Sequence, residues 1–134
     1  MMQAEERIDR GSEPTGTERA AIVFVSASAD DARAFRALAG GSRWLIVNVP
    51  DLAGARVVID KLHPRFVVCD TGIEGRGSWR DLLTGQCPGP SFAVIVVSRI
   101  AGEALREEVL DLGGSGVLAK PFAMEEVNRI LREA

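Results

Sequence analysis

Three apolar runs in this chain end on groups that could carry chemistry: FVVCD on Asp70, FAVIVVS on Ser98, and GVLA on the Lys120 that follows it. A carboxylate, a hydroxyl and an ammonium group brought to one place could act together, or could stand as a plain ion pair. Other chemistries fail on residue type. Ser26, Ser28 and Ser98 lack a histidine base, because the sole histidine, His63, precedes Pro64 at the opposite end of the third strand. A Ser/His hydrolase is therefore not expected. Cys69 and Cys87 have neither CxxC spacing nor a histidine neighbour, and a zinc site needs about four such ligands. They read as two free thiols. The glycine-rich TGIEGRGS at 71–78 lacks the Gly-Lys-Ser/Thr ending of a nucleotide-binding loop. GGSG at 113–116 joins a helix to a strand, the reverse of a phosphate cradle. Both read as turns.

The elements that must position these groups follow a regular alternation. Residues 21–25 form an apolar, β-rich run, and 30–39 (DDARAFRALA) place Ala32, Phe35, Leu38 and Ala39 on one helical face. Asp30 or Asp31 is expected at the N-cap, with Gly40-Gly41 as the stop. Residues 44–49 are a second strand, and 51–62 a helix with Ala55, Val58, Ile59 and Leu62 in a stripe, ended by His63-Pro64. The third strand, 66–70, runs into the glycine-rich loop and a short helical piece carrying Trp79, Leu82 and Leu83. The fourth strand spans 92–98. A helix over 103–112 turns Leu105, Val109 and Leu112 inward and ends at Gly113-Gly114. The fifth strand is 117–119, and a last helix over 123–132 carries Val127, Ile130 and Leu131. Trp44 and Trp79 read as core or half-buried. Strands without in/out alternation need cover on both faces, so five β-α units predict an α/β, three-layer, doubly wound parallel sheet. Residues 1–19 are polar, aperiodic and Gly/Pro-punctuated, and read as a flexible leader to a domain over 20–134.

In such a sheet ligands sit at the carboxyl ends of the strands, where Ser26-Ala27-Ser28, Asp70, Ser98 and Lys120 would gather. An Asp closing the third strand, a Ser closing the fourth after VIVV, and KPF after the fifth, preceded by DLGGSG, carry a family resemblance. Over 20–134 the chain resembles the receiver domain of two-component response regulators, the CheY-like fold. The resemblance implies a flavodoxin-like (βα)5 sheet with strand order 2-1-3-4-5. It places Asp70 at the phosphoacceptor position, whose carboxylate attacks a phosphoryl group to give an acyl phosphate. Ser98 matches the hydroxyl that bonds the phosphoryl group, Lys120 the lysine that neutralises one of its oxygens, and Pro121 a proline often preceded by a cis bond. Phosphoryl transfer rests mainly on position and charge.

The sequence departs from that pattern at the metal. The resemblance implies two acids after the first strand that hold Mg²⁺ with the phosphoacceptor, but Ser26 and Ala27 stand there. Asp30 and Asp31 come four residues later and read as helix-start charge rather than a displaced pair. Asp70 and Lys120 then cancel, so no metal is expected, with Asp70 at most a lone ligand. Phosphorylation of Asp70 is expected to be slow or absent. Two readings of Asp70 and Lys120 stay open, a phosphorylatable site and a standing ion pair. Val117 occupies the position of a switching aromatic, and the chain has no Tyr; a β-branched side chain cannot swing a polar ring. Arg99, where the family prefers a small residue, either covers the cleft or points to solvent, and solvent is favoured.

The net charge of −3, with both signs mixed, gives no electrostatic case for nucleic acid or membrane. No apolar stretch approaches a membrane span, and the polar start is unlike a signal peptide, so a cytoplasmic setting is expected. The sequence thus predicts a non-enzymatic, receiver-like (pseudo-receiver) signalling domain without cofactor, acting in a phosphorelay through protein–protein contact. Its partner would be a histidine kinase, an output domain or another signalling protein. The resemblance implies a pairing face over the helices at 103–112 and 123–132. Outward Arg106, Glu107, Glu126 and Arg129 there either form reciprocal ion pairs in a homodimer or stand as a solvated surface, and the solvated surface is favoured. The alternatives are a conventional receiver phosphorylated on Asp70 with Mg²⁺ and a small-ligand-binding flavodoxin-like domain; no cofactor fingerprint supports the latter.

Overall fold

The computed structural model describes residues 20–39, 43–73, 77–84 and 92–133. The order of elements is β1 (Ala20–Val25), α1 (Ala29–Leu38), β2 (Trp44–Val49), α2 (Leu52–Leu62), β3 (Phe66–Asp70), a 3-10 turn (Trp79–Leu82), β4 (Ala93–Ser98), α3 (Glu103–Asp111), β5 (Gly116–Ala119) and α4 (Met124–Glu133). The five strands form one parallel sheet in the order β2-β1-β3-β4-β5. This is the expected topology. The leader at 1–19, the Gly40-Gly41 stop and Cys87 lie outside the described residues.

Successive strand residues point to opposite faces, and the two faces have separate cores. Ile22, Phe24, Phe66, Val68, Ile95, Val97 and Leu118 pack on one side with Phe35 of α1 and Val127, Ile130 and Leu131 of α4. Val23, Val25, Val67, Cys69, Val94, Val96 and Val117 pack on the other with Leu52 and Ala55 of α2, Val109 of α3 and Trp79 of the 3-10 turn. All of β3 is buried, which is why its sequence shows no alternation. Phe35 meets Phe24 at a ring-centroid distance of 5.1 Å and Phe122 at 5.8 Å. That aromatic group pins α1 to the turn that follows β5, close beneath the strand ends.

Among the described residues of the third crossover, the expected short helical piece is a 3-10 turn over Trp79–Leu82. Ser78 and Asp81 close a capping box at its start, and Gly77 before it has φ +91°, a conformation that favours glycine. A Cβ on Gly77 would also lie 2.5 Å from Asp81 Oδ2. Trp79 is buried in the core below. Arg80 stacks over the Trp79 ring at 4.7 Å and donates to Glu108 of α3 (Nη2 to Oε1, 2.9 Å), tying the short turn to the next helix.

Two helix boundaries differ from expectation. The N-cap of α1 is Ser28, which accepts from the Asp31 backbone N–H, so Asp30 and Asp31 fall in the first turn instead. Serine is the better cap here because its short side chain reaches back to that N–H. Leu112, expected inward, is the C-cap of α3 and is 37% exposed; the chain leaves the helix there through Gly113 at φ +101°. His63 does end α2, as a C-cap in the left-handed region at φ 49°. Among the described residues no helix is long and apolar enough to cross a membrane.

Candidate functional site

Parallel strands of staggered length bring their carboxyl ends to one edge. Asp70 pairs with Val97 and Ser98 with Ala119, so the ends of β3, β4 and β5 lie side by side. Beyond β1 the chain is held in an extended course by Ser26 N–H to Val49 O (2.9 Å). The Asn48 side-chain amide adds bonds to Phe24 O (3.0 Å) and Ser26 O (3.2 Å). These contacts fix Ser26, which is 2% exposed, at the floor of a cleft of about 490 Å³. Ser28, Asp31, Asp70, Ser98 and Lys120 complete its inner wall.

The groups read from the sequence do meet. Lys120 Nζ donates to Asp70 Oδ2 at 2.8 Å. Ser26 Oγ donates to the same oxygen at 3.3 Å, and Asp70 Oδ1 accepts from Gly72 N–H at 2.9 Å. Ser98 is buried, and its Oγ accepts from Ile100 N–H at 3.1 Å. The Lys120-Pro121 bond is cis. Ala27 is exposed and brings only a methyl group. Val117 is buried in the core against α3. Arg99 lines the cleft and is itself exposed, so it sits at the rim, facing solvent.

One participant escaped the sequence reading. Asp31, in the first turn of α1, accepts from Lys120 Nζ at 2.8 Å, so the ammonium lies between two carboxylates. The cancellation of Asp70 by Lys120 alone is therefore corrected: with Asp31 present the inner site keeps one net negative charge. Asp30 stays outside, exposed and paired with Arg33. A Ser28-x-x-Asp31 capping pattern could have set the helix start correctly. Nothing local could have announced a partner 89 residues away. Asn48 was also missed, although a lone polar residue in WLIVNV is a signal that something needs its amide.

Electrostatics follow from the contacts. Burial pushes the Asp70 carboxyl up, but the Lys120 ammonium, the Gly72 N–H and the Ser26 hydroxyl outweigh it and hold the group below its ordinary 3.8. Burial likewise pushes Lys120 down, and its bonds to Asp31 and Asp70 outweigh that and hold it above its ordinary 10.5. Cys69, beside Asp70, is pushed up to about 12 by burial and then by the carboxylate charge. Its thiol stays protonated and unreactive.

Mg²⁺ takes near-octahedral oxygen ligation and gives up its waters reluctantly. The cleft offers two carboxylates, and one Oδ2 of each is already spent on the Lys120 ammonium. The remaining Asp70 oxygen holds Gly72 N–H, and the Ser26 hydroxyl is directed at Asp70. This donor set does not fit Mg²⁺. Nor does the cleft resemble an apolar cofactor pocket, since Ser26, Ser28, Thr71 and Ser98 line it together with charged groups.

No protein-family model matches the chain, and no curated protein matches it. Solved structures do. The signal receiver domain of a putative Luxo repressor protein from Vibrio parahaemolyticus superposes with TM-score 0.75 at 18% identity, covering 85% of this chain and 88% of that one. A response regulator from Thermotoga maritima gives TM-score 0.74 at 16% identity, covering 86% and 96%. The chemotaxis protein CheY4 of Vibrio cholerae gives 0.72 at 14% identity, covering 85% and 97%. With that likeness, the strand order β2-β1-β3-β4-β5 and the Asp70, Ser98 and Lys120 strand ends in place, this chain has the fold of response-regulator receiver domains.

Proposed function

We propose that this is a receiver-like signalling domain of the two-component type, not an enzyme and without a cofactor, that works in the cytoplasm through protein contacts and not through phosphorylation of Asp70. The observation that carries this reading is the Lys120 ammonium, 2.8 Å from both the Asp31 and the Asp70 carboxylates. Each bond to the Asp70 carboxylate draws charge from the would-be nucleophile: one oxygen accepts from an ammonium and a hydroxyl, and the other from a backbone N–H. An incoming phosphodonor dianion would also meet the Asp31 and Asp70 carboxylates, with only Lys120 at the floor and Arg99 at the rim to offset them.

The test is the intact mass of the chain after incubation with acetyl phosphate, in Mg²⁺ and in EDTA, with Asp70→Asn as control. The expected result is no phosphoryl adduct in either condition. An adduct that requires both Mg²⁺ and Asp70 would show a working phosphoacceptor and overturn the reading.

The partner on this reading is a histidine kinase, an output domain, another signalling protein or a second copy of the chain. The outer face of α3, β5 and α4 suits such a contact. It holds a groove of about 290 Å³ lined by Arg106, Leu110, Val117, Arg129 and Ile130, and Leu110 is 50% exposed beside it. Glu107 is exposed and Glu126 half-buried on the same helices, so charged groups of both signs border the groove. Sedimentation equilibrium should show a mass that rises with concentration, and Leu110→Asp should return it to the monomer. A wild-type mass that stays monomeric throughout would remove the homodimer from the proposal.

A further inference from the structure

We propose that Lys120 is the resident cation of this site: its ammonium, in place of a divalent ion, clasps the start of α1, the end of β3 and the turn after β5, and keeps divalent ions out. The inference deepens the functional reading above and rests on it for the role of the cleft. Three elements far apart in sequence converge on one nitrogen, Asp31 lying 89 residues and Asp70 50 residues from Lys120. The base of the lysine is fixed too, since its backbone N–H bonds Ser98 O at 3.1 Å. The side chains of Lys120 and Asp70 are each only 11% exposed, so water competes little for the contacts. An ammonium has three donors, and here two of them are spent on carboxylates.

Ser26 explains why the clasp can close. Its hydroxyl donates to Asp70, where a second acid after β1 would have added another negative charge. Two carboxylates against one ammonium leave one net negative charge, but the Oδ2 oxygen of each is already taken by Lys120. Such an ion would have to displace the ammonium from both oxygens, or lie beside it against like charge. The site is therefore assembled whatever the magnesium concentration, and the three elements stay joined in one arrangement.

The test is a titration of MgCl₂ into the EDTA-treated full chain at constant ionic strength, followed by calorimetry and by the thermal midpoint. Wild type should show no saturable heat and no rise in midpoint. Lys120→Met, which leaves Asp31 and Asp70 facing an unfilled point, should gain a magnesium-dependent rise through binding to the folded state, while Lys120→Arg should not. Saturable binding by wild type that Asp70→Asn abolishes would overturn the proposal. So would a folded Lys120→Met chain indifferent to Mg²⁺.

Should Lys120→Met fail to fold, the Lys120 ammonium signal in a ¹⁵N–¹H spectrum of wild type decides. A resolved, slowly exchanging signal identical in EDTA and Mg²⁺ supports the clasp. A signal averaged like those of exposed lysines, or one shifted by Mg²⁺, refutes it. A phosphoryl adduct on Asp70 would refute the functional reading whatever magnesium does; magnesium binding by wild type would refute the clasp even where no adduct forms.

Discussion

Lys120→Met is expected to lower the stability of the domain by about 2–3 kcal/mol, measured by urea unfolding at neutral pH. Removing one partner of a buried pair costs about 3–5 kcal/mol because the other charge is left uncompensated. Here two charges are left, but Asp31 is 22% exposed, and water offsets part of the loss. Asp70→Asn should cost less, roughly 1 kcal/mol, since the amide oxygen still accepts from Gly72 N–H and its NH2 can donate to the Ser26 hydroxyl, while the charge-assisted bond to Lys120 is lost. The sign of that second value is informative. In a site dominated by repelling carboxylates, neutralising one would stabilise. In a site clasped by an ammonium it should destabilise.

The dependence on pH carries the same logic. The folded Asp70 carboxyl is held below its ordinary 3.8, so its contribution to stability is present above the ordinary carboxylate range and is lost as pH falls through the folded value. Lys120 is held above its ordinary 10.5, so its contribution is present below that value and is lost as pH rises through the folded one. Between these limits the clasp should be insensitive to pH. Asp70→Asn should remove part of the acid limb, and Lys120→Met should shrink it, because Asp70 then loses the partner that keeps it ionised. A Lys120→Met chain as stable as wild type, with an unchanged acid limb, would mean that the contacts at 2.8 Å hold nothing together.

The fold was legible because its signals are local. FVVCD and AVIVVS are apolar on both faces, which only a covered parallel sheet accommodates, and His63 and Gly113 punctuate helices within a few residues of where they act. The strand-end chemistry was legible for the same reason: once the sheet is parallel, Asp70, Ser98 and Lys120 must share an edge. The company of Asp70 was only half legible. Asp31 reached the site because the N-cap is Ser28 and not one of the aspartates, which turns a first-turn side chain toward the cleft. The 3-10 turn at Trp79–Leu82 was visible only as something helical, since its length is set by Gly77, the Ser78–Asp81 capping box and the burial of Trp79 together.

Ser26→Asp should make the domain depend on a divalent ion. Ser26 is 2% exposed, and its hydroxyl gives Asp70 Oδ2 a donor at 3.3 Å. An aspartate there removes that donor and sets a buried carboxylate against Asp70, and like charges so placed cannot both ionise without cost. Lys120 already serves two acids and cannot neutralise a third. In EDTA the variant is expected to lose about 2–3 kcal/mol, and Ser26→Ala, which loses one hydrogen bond, only about 1 kcal/mol. Adding Mg²⁺ should restore much of the loss in Ser26→Asp and none in Ser26→Ala, because only the former assembles three carboxylates around one point. Equal midpoints for Ser26→Asp in EDTA and in Mg²⁺ would show that the acid count is not what separates this cleft from a metal site. A magnesium-dependent gain in that variant alone would place the difference at a single side chain: with serine at position 26 the lysine suffices as cation, and with aspartate it does not.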